Sequence, residues 1–309
     1  MSEKKKKGTP LWQISKKFNF AAEKIIPDSF VFCVVLTLVV AVLSLVVCHI
    51  TPINLLTSWW DGLSSQFTLA FQMGLMVVVC ATCARSPQVS KLLDGLAGLV
   101  HTRTAALVLL MAFGYVSSML NWAFCTIVTP ILAMQLAKRV KGLHFPMMVA
   151  GGYCCMILGQ CLGPSATLYS NLATEGSNYA EIVGQTMTVA ETCYNPVNVV
   201  LWVILAVCFI VLVLFTQPGD NELVELRNIA TQADVAPKDY QSHDKAQTPA
   251  EKMNTCKPIM WVVGAAIFIY IIYSIATKGF FATLNMNMVI FMFVGINCFL
   301  FPQPHSWME

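Results

Sequence analysis

The sequence predicts an all-α polytopic membrane protein with about eight transmembrane or re-entrant helical segments. Three observations lead there. Only 11% of the 309 residues are charged, against about 25% in ordinary soluble domains. Apolar types make up 57%, and they gather in runs close to the length that crosses about 30 Å of hydrocarbon. The runs lack the alternation of a β-barrel. Backbone groups in lipid must be bonded internally, so the runs are helices.

The chain begins with a basic segment, 1–28, holding Lys4 to Lys7 and an amphipathic stretch with Lys16, Lys17, Glu23 and Lys24. The apolar run that follows exceeds a signal-peptide core in length, so no cleavable signal is expected. The eight segments lie at 29–50, 66–84, 104–119, 122–137, 145–163, 196–216, 258–277 and 283–301. The first six form a bundle over 29–216. A polar stretch, 217–257, carries Pro218, Gly219, Pro237 and Pro249 and reads as a cytoplasmic linker, with a short helix expected near 221–232. Two helices over 258–309 follow it. The twelve cysteines fall mostly inside apolar segments, where a free thiol behaves as a small hydrophobe. Cys80 and Cys83 form a lone CxxC with no metal or redox context around it.

Basic residues orient a membrane chain, because they stay on the cytoplasmic side. With the N-terminus inside, loop 51–65 lies outside without Lys or Arg, and 85–103 lies inside with Arg85, Lys91 and Arg103. Lys138, Arg139 and Lys141 return inside, and the acidic loop 164–195 lies outside. Of the nineteen Lys and Arg, only Lys278 then falls outside. Both termini are cytoplasmic in this scheme.

Residues 104–137 carry no charge and are interrupted by Ser117, Ser118 and Asn121-Trp122. A re-entrant hairpin and two close-packed spans both fit this pattern. No acidic or basic residue occupies the middle of any segment, so an anion at membrane depth must be held by hydroxyls, amides and helix-end N–H groups. The candidate is a helix break over 159–171, in which Gly163 and Pro164 interrupt the helix and Ser165, Thr167, Ser170 and Asn171 offer neutral donors. Asn121 is a second candidate, as a cap of the hairpin or a cavity-facing amide. Gln72 is a third, the alternative being an interhelical hydrogen bond. Membrane-embedded enzymology is disfavoured, since no His, Asp or Glu lies at depth to activate a nucleophile.

At these residues the chain resembles the bacterial short-chain fatty acid transporter family. The similar pieces run in order: Ile26-Pro27-Asp28, Trp60-Asp61-Gly62, Phe71-Gln72-Met73, Leu120 to Phe124, Ala137 to Val140, Phe145-Pro146, and Asn285-Met286-Asn287. The resemblance implies a secondary carrier of small monocarboxylates such as acetoacetate or butyrate in the bacterial cell inner membrane, built from inverted repeats. It implies substrate contacts at Gln72, Asn121, Trp122, Gly163, Ser165 and Thr167, to which the helix break adds Asn171. The expected partners are the short-chain carboxylate, the lipid bilayer and further copies in a homo-oligomer, not nucleic acid. No cofactor is expected beyond a coupling ion, Na⁺ or H⁺. The alternatives are a carrier of another organic anion such as a dicarboxylate, which would want a basic partner at depth, and an inactive truncated paralogue or scaffold. Members of the family are longer, so the second repeat is expected to be incomplete and the chain not to transport alone.

Overall fold

The structure, a computed structural model, describes residues 8–163, 166–226 and 248–307. All regular elements among them are helical. They form two compact units, one of residues up to Phe71 with Phe215–Asn221, the other of Gln72–Leu214 with the residues from Glu222 on.

The first unit holds α1 (Pro10–Ile25), α2 (Ser29–Val46) and α3 (Pro52–Ser65). Each starts at a side-chain cap: Thr9, Asp28 and Thr51 accept from the N–H groups of Trp12, Phe30 and Asn54. Pro follows directly at α1 and α3, where its missing N–H is no loss. Leu11, Ile14, Phe18 and Ile25 line one side of α1, and its lysines lie between. That pattern suits a helix lying in the membrane interface. The N–H of Thr9 donates to the Gln217 carbonyl and the Gln217 N–H returns to Thr9 Oγ1. Helix α2 has a mean hydropathy of 2.9 and no buried residue, so hydrocarbon must solvate it. The stretch 51–65, expected as a loop, is instead helical. Its cap and its apolar residues at Ile53, Leu56, Trp60 and Leu63 follow a helical period, with two tryptophans suited to an interface.

Helix α4 (Phe67–Ala84) leads into the second unit. There follow α5 (Pro87–Ala97), α6 (Arg103–Leu120), α7 (Trp122–Arg139), α8 (Phe145–Leu162), α9 (Thr167–Leu172), α10 (Asn178–Val183), α11 (Pro196–Phe215), α12 (Pro249–Asn254), α13 (Lys257–Lys278), α14 (Phe280–Thr283) and α15 (Met286–Leu300). The long helices fall on the predicted apolar segments. Helix α5, in a stretch expected as a loop, starts at a Ser86 cap and buries Leu93 and Ala97 on the side that faces α7. Its Asp94 meets Arg139 at 2.7 Å, both half-exposed, so that pair adds at most about 1 kcal/mol. The expected helix at 221–232 falls mostly outside the described residues.

Helices α6, α7 and α8 pack each on the other two. Lipid-solvated helices gain little from burying apolar surface, so they hold together by close approach at small residues. A Cβ on Gly114 would stand 2.8 Å from Cys155 Sγ, one on Gly152 2.7 Å from Thr129 Oγ1, and one on Gly159 2.6 Å from Ser118 Cβ. The pair α13 and α15 repeats the device reciprocally: Gly264 faces Cys298 and Phe299, and Gly295 faces Ile267 and Phe268. The twelve cysteines are free thiols.

At the far end of this bundle the turn before α8 is clamped to the start of the linker. Phe145 N–H donates to the Val224 carbonyl at 2.9 Å, Gly142 N–H to Glu225 at 2.8 Å, and Val224 N–H to His144 Nδ1 at 3.0 Å. Burial lowers the His144 pKa below its usual value of 6.5, with Glu222 opposing. An accepting Nδ1 needs the neutral ring.

Two outcomes follow from this packing. Gly159→Leu should destabilise the protein in detergent by about 1–3 kcal/mol through overpacking, read as a lower thermal midpoint. Gly74→Ala, with nothing within 4 Å, should not lower it. Because the folded pKa of His144 is depressed, the unfolded state takes up its proton first. The His144 contribution is therefore complete above pH 6.5 and declines as the pH falls below it. Hydrogen exchange at 142–145 and 222–226, corrected for intrinsic rates, should quicken at pH 5.5, and His144→Gln should remove that dependence.

Candidate functional site

Several helix ends meet beside the middle of α4. Asn121 is the single residue between α6 and α7 and ends one helix while starting the next. It is wholly buried. Its Oδ1 accepts from Ala123 N–H at 2.7 Å and Phe124 N–H at 3.1 Å, and its Nδ2 donates to Met76 Sδ at 2.8 Å. Met76 is the tenth residue of α4, about 14 Å along that helix. Trp122 opens α7, half-buried, and its carbonyl accepts from Thr126 Oγ1 at 2.9 Å.

The end of α8 lies at the same level. A Cβ on Gly163 would stand 2.9 Å from the Ser118 carbonyl oxygen and 3.4 Å from that of Met119, which places Gly163 against the last turn of α6. Helix α8 stops before Gly163, where ψ is 147°, and α9 starts at Thr167 with Ala166 as its cap. Ser165 lies outside the described residues. Gln160, in the last turn of α8, bridges the gap: its Oε1 accepts from both the N–H and the hydroxyl of Thr167, each at 3.2 Å. Asn171 turns its amide back onto the Thr167 carbonyl at 2.8 Å. Ser170 is fully buried, and its hydroxyl has no partner among the described residues.

Carbonyls in the last turns of α8 are bonded from α11 and the loop before it. Asn198 Nδ2 donates to the carbonyls of Cys161 and Cys193. Trp202 Nε1 donates to that of Leu158 at 3.0 Å, and Cys193 Sγ lies 3.6 Å from those of Cys161 and Gly163.

Gln72 sits apart from this junction. Its Nε2 donates to Asn287 Oδ1 at 2.7 Å, joining α4 to the first turn of α15. Further along the same pair Asn297 Nδ2 reaches the Val79 carbonyl at 2.8 Å. Asn287 also lines a cavity of about 350 Å³ between the end of α13 and the start of α15. The predicted residues thus divide between two places: Asn121, Trp122, Gly163, Thr167 and Asn171 around the helix ends, and Gln72 beside the cavity. Gln160 lies within the expected helix break without being offered as a donor, and Asn198 reads from the sequence as part of an ordinary helix start after Asn195-Pro196. Their signal was weak, since an amide near a helix end has many uses and its partners lie on other elements.

Removing the donors that cover α8 should loosen the junction. Asn198→Ala should cost about 1–3 kcal/mol by leaving buried carbonyls unsatisfied. Alkylation of the half-buried Cys161, followed by peptide mass spectrometry, should quicken in that variant, while Cys154 in the preceding turns should not change.

The short chain fatty acid transporter family matches residues 11–309. A Haemophilus influenzae protein is 26% identical over 306 residues, covering 96% of this chain and 67% of the relative. An Escherichia coli K12 protein is 27% identical over 299 residues, covering 96% and 66%. Both carry the name "Putative short-chain fatty acid transporter". The chain spans about two thirds of the length of these relatives. No solved structure matches it. With a match that runs almost from end to end, and with helices long and apolar enough to cross a bilayer, this chain belongs to the short-chain fatty acid transporter family.

Proposed function

We propose that the chain binds a short-chain monocarboxylate at the junction of α6, α7, α8 and α9 and takes part in carrying it across the bacterial inner membrane. One observation carries this reading. The α6–α7 corner and the end of α8 lie beside Met76, halfway along α4. With α4 as a span, that depth is the middle of the hydrocarbon. Helix ends are tolerated there only when they are buried in protein or line a wet cavity, and carriers place their sites at such breaks. On this reading α6 and α7 form a re-entrant hairpin that enters from the cytoplasmic side, and the N-terminus is cytoplasmic.

The chemistry follows from the residue types. Among the described residues no charged side chain is buried. Ser170 supplies a hydroxyl and Gln160 and Asn171 supply amide N–H groups, which suit one carboxylate with a short alkyl tail, while the Thr167 hydroxyl holds Gln160 in place. A second carboxylate would need a cation, so a dicarboxylate is the poorer fit. The last carbonyls of α6 face Gly163, and oxygens of that kind suit Na⁺ as the coupling ion.

Labelled butyrate should bind the purified chain saturably, with acetoacetate competing and succinate not. Gln160→Ala or Thr167→Val should weaken binding roughly tenfold, a change of about 1.4 kcal/mol, at unchanged folded yield. Full affinity in both variants would place the site elsewhere, and absence of binding by the parent chain would end the reading. In vesicles, butyrate uptake driven by a Na⁺ gradient rather than a pH gradient would identify the ion.

A further inference from the structure

We propose that the cavity between α13 and α15 is a second, peripheral site for the same class of ligand, a short-chain carboxylate held by Lys278 and two asparagine amides. The substrate class rests on the reading above; the site itself rests on separate residues. The cavity holds about 350 Å³, and its polar lining comes from Tyr270, Ser274, Lys278, Thr283, Asn285 and Asn287. That volume falls at the small end of the range for small-molecule sites.

The hydrogen bonds decide which sign of charge fits. Asn285 Oδ1 is occupied as the cap of α15, accepting from Met288 N–H at 3.0 Å. Asn287 Oδ1 is occupied by Gln72 Nε2 at 2.7 Å. Each amide therefore has its acceptor engaged inside the protein and its NH₂ group left over. The Thr283 hydroxyl donates to the Gly279 carbonyl at 2.9 Å, and Ser274 Oγ lies 3.4 Å from Thr283 Oγ1, so Ser274 is the donor of that pair. What remains for a ligand is two amide NH₂ groups, the Tyr270 hydroxyl and the Lys278 ammonium. Among the described residues no Asp or Glu is in the lining.

The backbone reinforces the same sign. The lining meets the N-terminus of α15, a 15-residue helix, whose partial positive charge favours an anion. Lys278 stands on the last turn of α13, where the carbonyl end of a helix favours a cation. Ala282, Met288 and Phe291 complete the wall and give an alkyl tail an apolar surface. An inorganic anion would leave that surface uncovered, whereas a carboxylate with a short tail uses both parts.

Acetylation of lysines on the full chain by an isotope-coded N-hydroxysuccinimide ester, mapped by peptide, tests this directly. Butyrate should slow labelling of Lys278 several-fold and leave Lys252 and Lys257 unchanged, while butyramide, of the same shape without charge, should not protect. Asn287→Asp should abolish the protection by placing a carboxylate in the lining. Protection should persist in Gln160→Ala, which separates this site from the junction at the end of α8. Labelling of Lys278 unaffected by saturating butyrate, equal protection by butyramide, or full protection in Asn287→Asp would each overturn the proposal.

Discussion

A backbone N–H or C=O that reaches hydrocarbon without a partner costs several kcal/mol, and most of what is particular to this protein follows from that one cost. Helices spare their interiors by bonding to themselves, so the requirement falls on the places where helices stop. At the α6–α7 corner a single buried Asn121 satisfies two N–H groups of α7 with its side-chain oxygen, and Asn121 N–H itself bonds back to Ser117. At the end of α8 the same need is met from outside the helix, by Asn198 and Cys193. The break is therefore covered on the α11 side. On the α9 side Gln160 and Thr167 close it with side-chain bonds of 3.2 Å, longer than those at Asn121.

The second constraint is proximity. Apolar burial barely distinguishes a neighbouring helix from a lipid tail, so packing density and small residues hold the bundle. Gly114, Gly152 and Gly159 let three helices approach until a methyl group would collide. This closeness also brings the last carbonyls of α6 to Gly163. The polar character of the junction is thus a consequence of the glycines as much as of the serines and amides near it.

The two polar places differ in kind. The junction is buried and neutral, as fits a position where a free charge would be costly. The cavity at α13 and α15 is open and carries the exposed Lys278, as fits a position near water. Gln72 and Asn287 connect the second place to α4, the helix that also borders the first through Met76. One span therefore touches both.

Membrane character and the positions of the long apolar helices were legible in the sequence because they depend on local quantities: apolar length and helix stops such as Gly163. The amphipathic helices α3 and α5 were missed because their polar residues outweigh their apolar period when hydropathy is averaged. Asn121 and Thr167 could be picked out as polar residues in apolar surroundings, but not what they bond to. Gln160 closing on Thr167, Asn198 covering α8, Gln72 meeting Asn287 across 215 positions and the depth of the corner beside Met76 are relations between distant parts of the chain. They depend on which helices pack together and at what height. Propensity and pattern report on one stretch at a time, and only the packed bundle decides such pairings.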